Sequence, residues 1–198
     1  GLLNCLELFS ESRFIYFSSS MVYGDWPNGS VEETTSCSPK DLYGQLKYVG
    51  EGIVKKMHNK WIIIRPSAVY GPDDDLSRVI PKWVNNVKTG KPIEVRGDSL
   101  LDFTHIDDLV QAVKLCLTSK TTNEVFNITR GKARSLMEAA VMIVENMGEG
   151  SIQRQPHNAN YPKRGTLDCT KAKTILGYDP TIDIEQGIKN YIDSIDQG

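Results

Sequence analysis

The sequence has 198 residues, 39% of them hydrophobic and 24% charged, with a formal net charge of −2. That length suits one compact domain, or one domain with a small second lobe. The chain has no basic block of the kind that tracks a phosphate backbone, and no apolar run near the ~18–20 residues that span a bilayer, so neither a nucleic-acid nor a membrane partner is expected.

Leu2 to Phe9 reads as the end of an amphipathic helix with Leu2, Leu3, Leu6 and Phe9 on one side. It is entered midway at Gly1, and Gly1-Leu2-Leu3-Asn4 has no basic n-region of a signal peptide. Phe14 to Phe17 is a short apolar strand, expected to be buried on both faces, with Ser18-Ser19-Ser20 at its carboxyl end. A Gly/Pro/Asn/Ser-rich loop over 24–40 leads to a helix from about Asp41 to Met57, capped by Ser38 or Asp41. Gly44, Gly50 and Gly52 each weaken that helix by about 1 kcal/mol relative to Ala, which implies close packing of its backbone.

Trp61 to Arg65 is a second buried strand closed by Pro66, and the loop after it carries Asp73-Asp74-Asp75, read as solvated. Val79 to Val87 is helical after Pro81, and Ile93 to Arg96 alternates as a half-exposed strand. Asp107 or Asp108 is expected to cap a helix with Leu109, Val113, Cys116 and Leu117 on one face, and Val125 to Ile128 is a further strand. Ser135-Leu136-Met137-Glu138 is a capping box opening a helix to about Met147. Thr170 to Leu176 is a short helix stopped by Gly177, and Ile184, Ile188, Ile192 and Ile195 line a terminal helix. Strands alternating with helices give an α/β class. Cys5, Cys37, Cys116 and Cys169 form no C-x-x-C pair and His58, His105 and His157 show no ligand spacing, so no metal is expected; the free thiols suit a cytoplasmic location.

Three residues carry a chemical signal. Ser19 follows a strand end, and Tyr43 and Lys47 are four apart on one helix face. A tyrosine is ordinarily a poor base at a pKa of about 10, but an ammonium one turn away stabilises a phenolate. A serine hydroxyl can orient a substrate alcohol, so the trio can take a proton from an alcohol as a hydride leaves its carbon.

In their surroundings these residues resemble a known family. Phe17-Ser18-Ser19-Ser20-Met21-Val22-Tyr23-Gly24, Tyr43-Gly44-Gln45-Leu46-Lys47, Arg65-Pro66 and Val69-Tyr70-Gly71-Pro72 are similar to motifs of the extended short-chain dehydrogenases/reductases, and more narrowly of NAD-dependent nucleotide-sugar epimerases and dehydratases. Gly97-Asp98, Asp102 to Asp108 and Lys163 to Asp168 match later segments in order. The resemblance implies the C-terminal part of a Rossmann-like doubly wound parallel sheet over residues 1–72. It also implies a small α/β nucleotide-sugar lobe over 73–198, with a strand near 124–129 returning to the sheet. It implies Tyr43 as acid/base with Ser19 and Lys47, and NAD held by Ser18, Tyr43, Lys47, Pro66 and Ser67. A nucleotide-diphosphate sugar, a UDP-sugar first among them, would meet Ser20, Met21, Ala68, Arg78, Arg96 and Arg164, and a homodimer would form through the Tyr-x-x-x-Lys helix and the helix before it.

The sequence also departs from the family pattern. The Gly-x-x-Gly-x-x-Gly strand-turn-helix that receives the cofactor pyrophosphate does not occur in these 198 residues. Met21 stands where 4,6-dehydratases place an acidic residue, which favours an epimerase. Ala68 replaces an asparagine common in the family, and Leu101 an arginine. A dehydratase or reductase, or a non-catalytic nucleotide-sugar-binding fragment, remain the alternatives.

Overall fold

A computed structural model describes residues 1–26, 29–97, 99–156 and 162–196. Asp98 and His157 lie outside the described residues. The chain begins with α1 (Leu2–Leu8), β1 (Phe14–Phe17), a 3-10 turn (Ser20–Tyr23), β2 (Ser30–Val31) and α2 (Leu42–Met57). It continues with β3 (Trp61–Pro66), β4 (Val69–Tyr70), α3 (Val79–Lys88), β5 (Ile93–Arg96), β6 (Leu100–Leu101), β7 (Thr104–His105) and α4 (Ile106–Thr118). The last third holds β8 (Glu124–Ile128), β9 (Arg134–Ser135), α5 (Leu136–Met147), β10 (Ile152–Gln155), β11 (Thr166–Leu167), α6 (Thr170–Leu176) and α7 (Ile184–Asp196).

The main sheet is parallel, in the order β1-β3-β8, with Ile15 beside Ile62 and Ile64 beside Phe126. Its centre is β3, whose Ile62, Ile63 and Ile64 are fully buried. Successive strand side chains point to opposite faces. Ile62 and Ile64 therefore pack with Leu109 and Cys116 of α4 and Leu176 of α6, while Ile63 packs with Leu6 of α1 and Val54 of α2. Helices on both faces explain why β3 reads as an unbroken apolar run. A second core joins Trp83 and Val84 of α3, Ile93 and Val95 of β5, Ile143 of α5, and Ile188 and Ile192 of α7. β5 gains a parallel partner in β10, a strand with no signal in its sequence Ile-Gln-Arg-Gln.

Several expectations need correction. β1 is not buried on both faces: Phe14, Ile15 and Tyr16 are half-buried, and Phe17 at its end is 43% exposed. On α1 only Leu6 is buried, while Leu3 and Phe9 face outward. His105, not Asp107 or Asp108, caps α4, its ring nitrogen Nδ1 accepting from the Asp107 amide at 3.3 Å. Asp108 is occupied elsewhere, accepting from the amides of Thr181 and Ile182 at 2.9 and 3.1 Å. Leu117 is exposed, because the buried stripe of α4 runs through Leu109, Ala112 and Cys116. Asp41 caps α2 through the Gly44 amide at 2.7 Å, and the Ser135–Glu138 capping box forms as read.

The glycines of α2 divide. A Cβ on Gly44 would lie 2.7 Å from the Met21 carbonyl oxygen, and one on Gly50 would run into the Tyr16 phenol. At Gly52 a Cβ would meet nothing within 4 Å, so packing does not require that glycine. Gly44→Ala is therefore expected to destabilise the fold by about 1–3 kcal/mol, through steric displacement of the serine turn. Gly52→Ala is expected to stabilise by up to about 1 kcal/mol, through helix propensity. Urea unfolding of the two variants checks the opposite signs.

Candidate active site

A cleft of about 480 Å³ opens at the carboxyl ends of β1 and β3. This is where parallel α/β sheets place their ligands. Nine of the residues singled out from sequence line it: Ser18, Ser19, Ser20, Met21, Tyr43, Pro66, Ala68, Arg78 and Arg164. Three lie off its wall. Lys47 sits one helical turn behind Tyr43. Ser67 is buried, with its Oγ lacking a hydrogen-bond partner among the described residues, between the lining residues Pro66 and Ala68. Arg96 is exposed and pairs with Glu94 at 3.2 Å. Asp74, Ser77 and Phe103 join the lining without having been foreseen, and Asp74 is less solvated than its run of three aspartates implies.

The serine turn is organised by its own side chains. Ser19 Oγ accepts from the Met21 amide at 3.2 Å and caps the 3-10 turn. Tyr43, on the first turn of α2, is 52% exposed at the cleft wall. Lys47 donates from Nζ to the Phe17 carbonyl at 2.7 Å, and its ammonium lies 5.6 Å from the ring centroids of both Tyr43 and Tyr16. Ring faces attract a cation, so the two tyrosines and one carbonyl fix the charge beside the Tyr43 ring.

Behind this wall runs a buried polar network with Glu51 at its centre. Ser18 Oγ donates to Glu51 Oε1 at 2.5 Å. Arg65 grips both carboxylate oxygens of Glu51, from Nε at 2.8 Å and Nη2 at 2.7 Å. Arg65 Nη1 donates to Tyr23 Oη at 2.9 Å, which donates to Asn127 Oδ1 at 2.7 Å. Asn127 Nδ2 then reaches the carbonyls of Val31 and Asp168 at 3.0 and 3.1 Å. Burial opposes the Arg65 charge, but the bonds to Glu51 outweigh it and hold its pKa above the ordinary value. Burial pushes the Tyr23 phenol up to about 12, against the pull of Arg65, so it stays a donor. Sequence reading passed over Glu51, although its spacing of four from Lys47 continues the Tyr43–Lys47 row by one more turn. Arg65, a charge at the end of a buried strand, was a signal that such a partner existed.

The opposite wall is held from a distance. Arg164 reaches Met21, Nη1 to Sδ at 3.6 Å. Its loop is tied down by the Lys163 amide donating to Asp25 at 2.8 Å and by the Leu167 amide donating to Asp102 at 3.0 Å. Asp102 also accepts from the amides of Gly131 and Lys132. Ala68 sits at φ 38°, in the left-handed region that an L-residue enters at a cost of about 1–2 kcal/mol. An asparagine, the residue the resemblance places there, enters that region more readily. Among the described residues no group of three or more His, Cys, Asp or Glu could hold a metal ion, and no helix is long and apolar enough to cross a membrane.

A model of the NAD dependent epimerase/dehydratase family matches residues 2–129. The chain belongs to this family. As a family member it is 29% identical, over its full length, to an uncharacterized UDP-glucose epimerase of Bacillus subtilis, and spans 66% of that protein. It is 27% identical over 94% of its length to a dTDP-glucose 4,6-dehydratase of Streptomyces niveus, and spans 58% of it. The crystal structure of a UDP-glucuronic acid 4-epimerase from Bacillus cereus, in complex with UDP-glucuronic acid and NAD, superposes with a TM-score of 0.90 at 28% identity. That match covers 99% of this family member and 66% of the epimerase chain. Its parallel α/β architecture is thus the C-terminal Rossmann-like part expected from the motifs. Relatives that are epimerases and relatives that are dehydratases match at similar identity.

Asp102 provides a pH-dependent test of how this site is held. Burial pushes its carboxyl from 3.8 up to about 6, against the three backbone amides that favour the anion. The folded state therefore binds the proton more tightly than the unfolded chain does. The stability this contributes is full below pH 3.8 and is lost as pH rises through about 6. The stability difference between the wild type and Asp102→Asn is expected to shrink by about 2 kcal/mol between about pH 4.5 and 7. Denaturant titrations of both proteins at the two pH values measure it.

Proposed function

We propose that this chain forms the catalytic wall and the sugar-nucleotide lobe of an NAD-dependent nucleotide-sugar epimerase. The observation that carries this reading is the row on α2: Tyr43 at the cleft wall, with the Lys47 ammonium fixed against its ring. Ser19 and Ser20 lie in the same cleft, and Arg78 and Arg164 supply positive charge to it for a diphosphate. Residues 1–72 would serve the cofactor and residues 73–198 mainly the nucleotide sugar, with β8 belonging to the cofactor sheet.

In this reading Ser19 orients a sugar hydroxyl and the Tyr43 phenolate takes its proton as the carbon–hydrogen bond breaks, giving a keto-sugar. Tyr43 returns the proton when the opposite face of the carbonyl is reduced. NAD, when bound, supplies reversible hydride acceptance. Ser18, Tyr43, Lys47, Pro66 and Ser67 would hold its nicotinamide half, and the unpartnered Ser67 Oγ is a polar atom suited to that role. Met21 supports an epimerase over a dehydratase: it lines the cleft, and a thioether can neither donate nor accept the proton that water elimination requires. Arg96, paired with Glu94 away from the cleft, has the weakest claim among the substrate residues. The non-catalytic fragment is the second reading, because the chain spans only 58–66% of the relatives compared above.

Tyr43→Phe is expected to lower epimerase turnover by about 10²–10⁴-fold, while calorimetry still registers UDP-sugar binding. Undiminished turnover would remove Tyr43 from the mechanism. In the unmutated chain, sugar-nucleotide binding without NAD binding would select the fragment reading.

The same helix supports a homodimer. Leu42, Leu46 and Val49 on α2 are 70%, 61% and 58% exposed and form a stripe at helical spacing. Exposed apolar stripes of this kind mark association surfaces. A sedimentation mass of two chains is expected for the wild type and of one chain for Leu46→Glu; a wild-type monomer at micromolar concentration would refute the dimer.

A further inference from the structure

Two adjacent residues at the end of β1 are held by two residues one turn apart on α2. Lys47 Nζ takes the carbonyl of Phe17 at 2.7 Å, and Glu51 Oε1 takes the hydroxyl of Ser18 at 2.5 Å. The strand end and the helix are thus joined at two points four residues apart on the helix. Among the described residues β1 pairs with β3, the Ser18 amide donates to the Ile64 carbonyl at 2.8 Å, and Phe17 is exposed. The carboxylate in turn is fixed from the far side by the two-point grip of Arg65.

We propose that Glu51 is a positioning residue of the site: through Ser18 it sets the serine turn at a fixed height against the row of Tyr43 and Lys47. The proposal deepens the catalytic reading above and rests on it for its consequence in turnover. Its structural content stands independently. Tyr43, Lys47 and Glu51 work as a single row, the first facing the cleft and the next two gripping the strand that delivers Ser19 and Ser20. The amide of Met21 bonds to Ser19 Oγ and that of Val22 to the Ser19 carbonyl, so exchange at those amides reports on the turn.

Removing Glu51 alone leaves the Arg65 charge buried and unpaired, and such a variant can fail to fold. Two other variants separate positioning from stability. Ser18→Ala cuts the bond from Glu51 to the strand end and leaves intact both the ion pair and the bond from Arg65 to Tyr23 of the turn. Glu51→Leu/Arg65→Met replaces the pair by apolar groups of similar size, a change that folded proteins tolerate. Hydrogen exchange of the complete chain is measured residue by residue by NMR. In both variants the Met21 and Val22 amides are expected to exchange at least about tenfold faster, while the central β3 amides stay within about twofold of wild type. Unchanged exchange at the turn overturns the proposal. So does equal acceleration in β3, because the pair would then contribute stability alone. Loss of turnover in Tyr43→Phe tests the catalytic reading separately, since that variant leaves the Ser18–Glu51 bond in place. Where the wild type turns over a UDP-sugar, the double variant is expected to lose at least about tenfold in kcat with KM within about threefold. Wild-type kcat in the double variant overturns the positioning role.

Discussion

The buried pair of Glu51 and Arg65 is the constraint around which the rest of the site is arranged. Neither residue has solvent to turn to: Glu51 is fully buried and Arg65 is 3% exposed. A desolvated carboxylate and guanidinium persist only when nearly every lone pair and proton is used. That requirement recruits Ser18 from the end of β1, Tyr23 from the 3-10 turn and, through it, Asn127 from β8. Five separate elements, α2 and β3 with the end of β1, the 3-10 turn and β8, are thereby held in one geometry by the need to solvate a single ion pair. Apolar packing could press α2 onto the sheet, but it is non-directional and would not choose this rotation of the helix over its neighbours. The rotation matters, because it aims Tyr43 at the cleft wall and keeps Lys47 at its ring.

Much of the fold was legible because its signals are local. The capping box at Ser135 and the stop at Gly177 formed as read. What escaped depended on tertiary context. β10 carries an unremarkable Ile-Gln-Arg-Gln and exists because β5 offers a partner edge. His105 displaced Asp108 as a cap because Asp108 is pulled toward the Thr181 and Ile182 amides, more than seventy residues away in the chain.

The site divides the same way. Tyr43 and Lys47 could be placed together because a four-residue helical spacing is a geometric statement. Ser19 stood out as a serine just past a strand end, whereas Pro66, Ala68, Arg78 and Arg164 reached the same cleft through resemblance, since nothing in their spacing brings them together. Glu51 sits at the next helical step after Lys47 and was overlooked because a glutamate on a helix is ordinarily a solvated face. The unforeseen Asp74 comes from a run of aspartates in which composition alone marks no member as different.

The cleft has a consequence for the order of events on the ribosome. Its walls include residues 18–21, Tyr43, Pro66, Ala68 and Arg164, and its far wall is anchored when Val31 of β2 pairs with Leu167 of β11. The serine turn and the tyrosine helix are synthesised more than a hundred residues before their counterpart. Parallel pairings of such separation form late, after the entropy of a long loop has been overcome. A nascent chain halted before β11 would carry Tyr43 and Lys47 on a half-formed surface, with the Arg164 segment not yet anchored opposite them. Any ligand able to bridge the two walls would therefore act as a late clasp on folding.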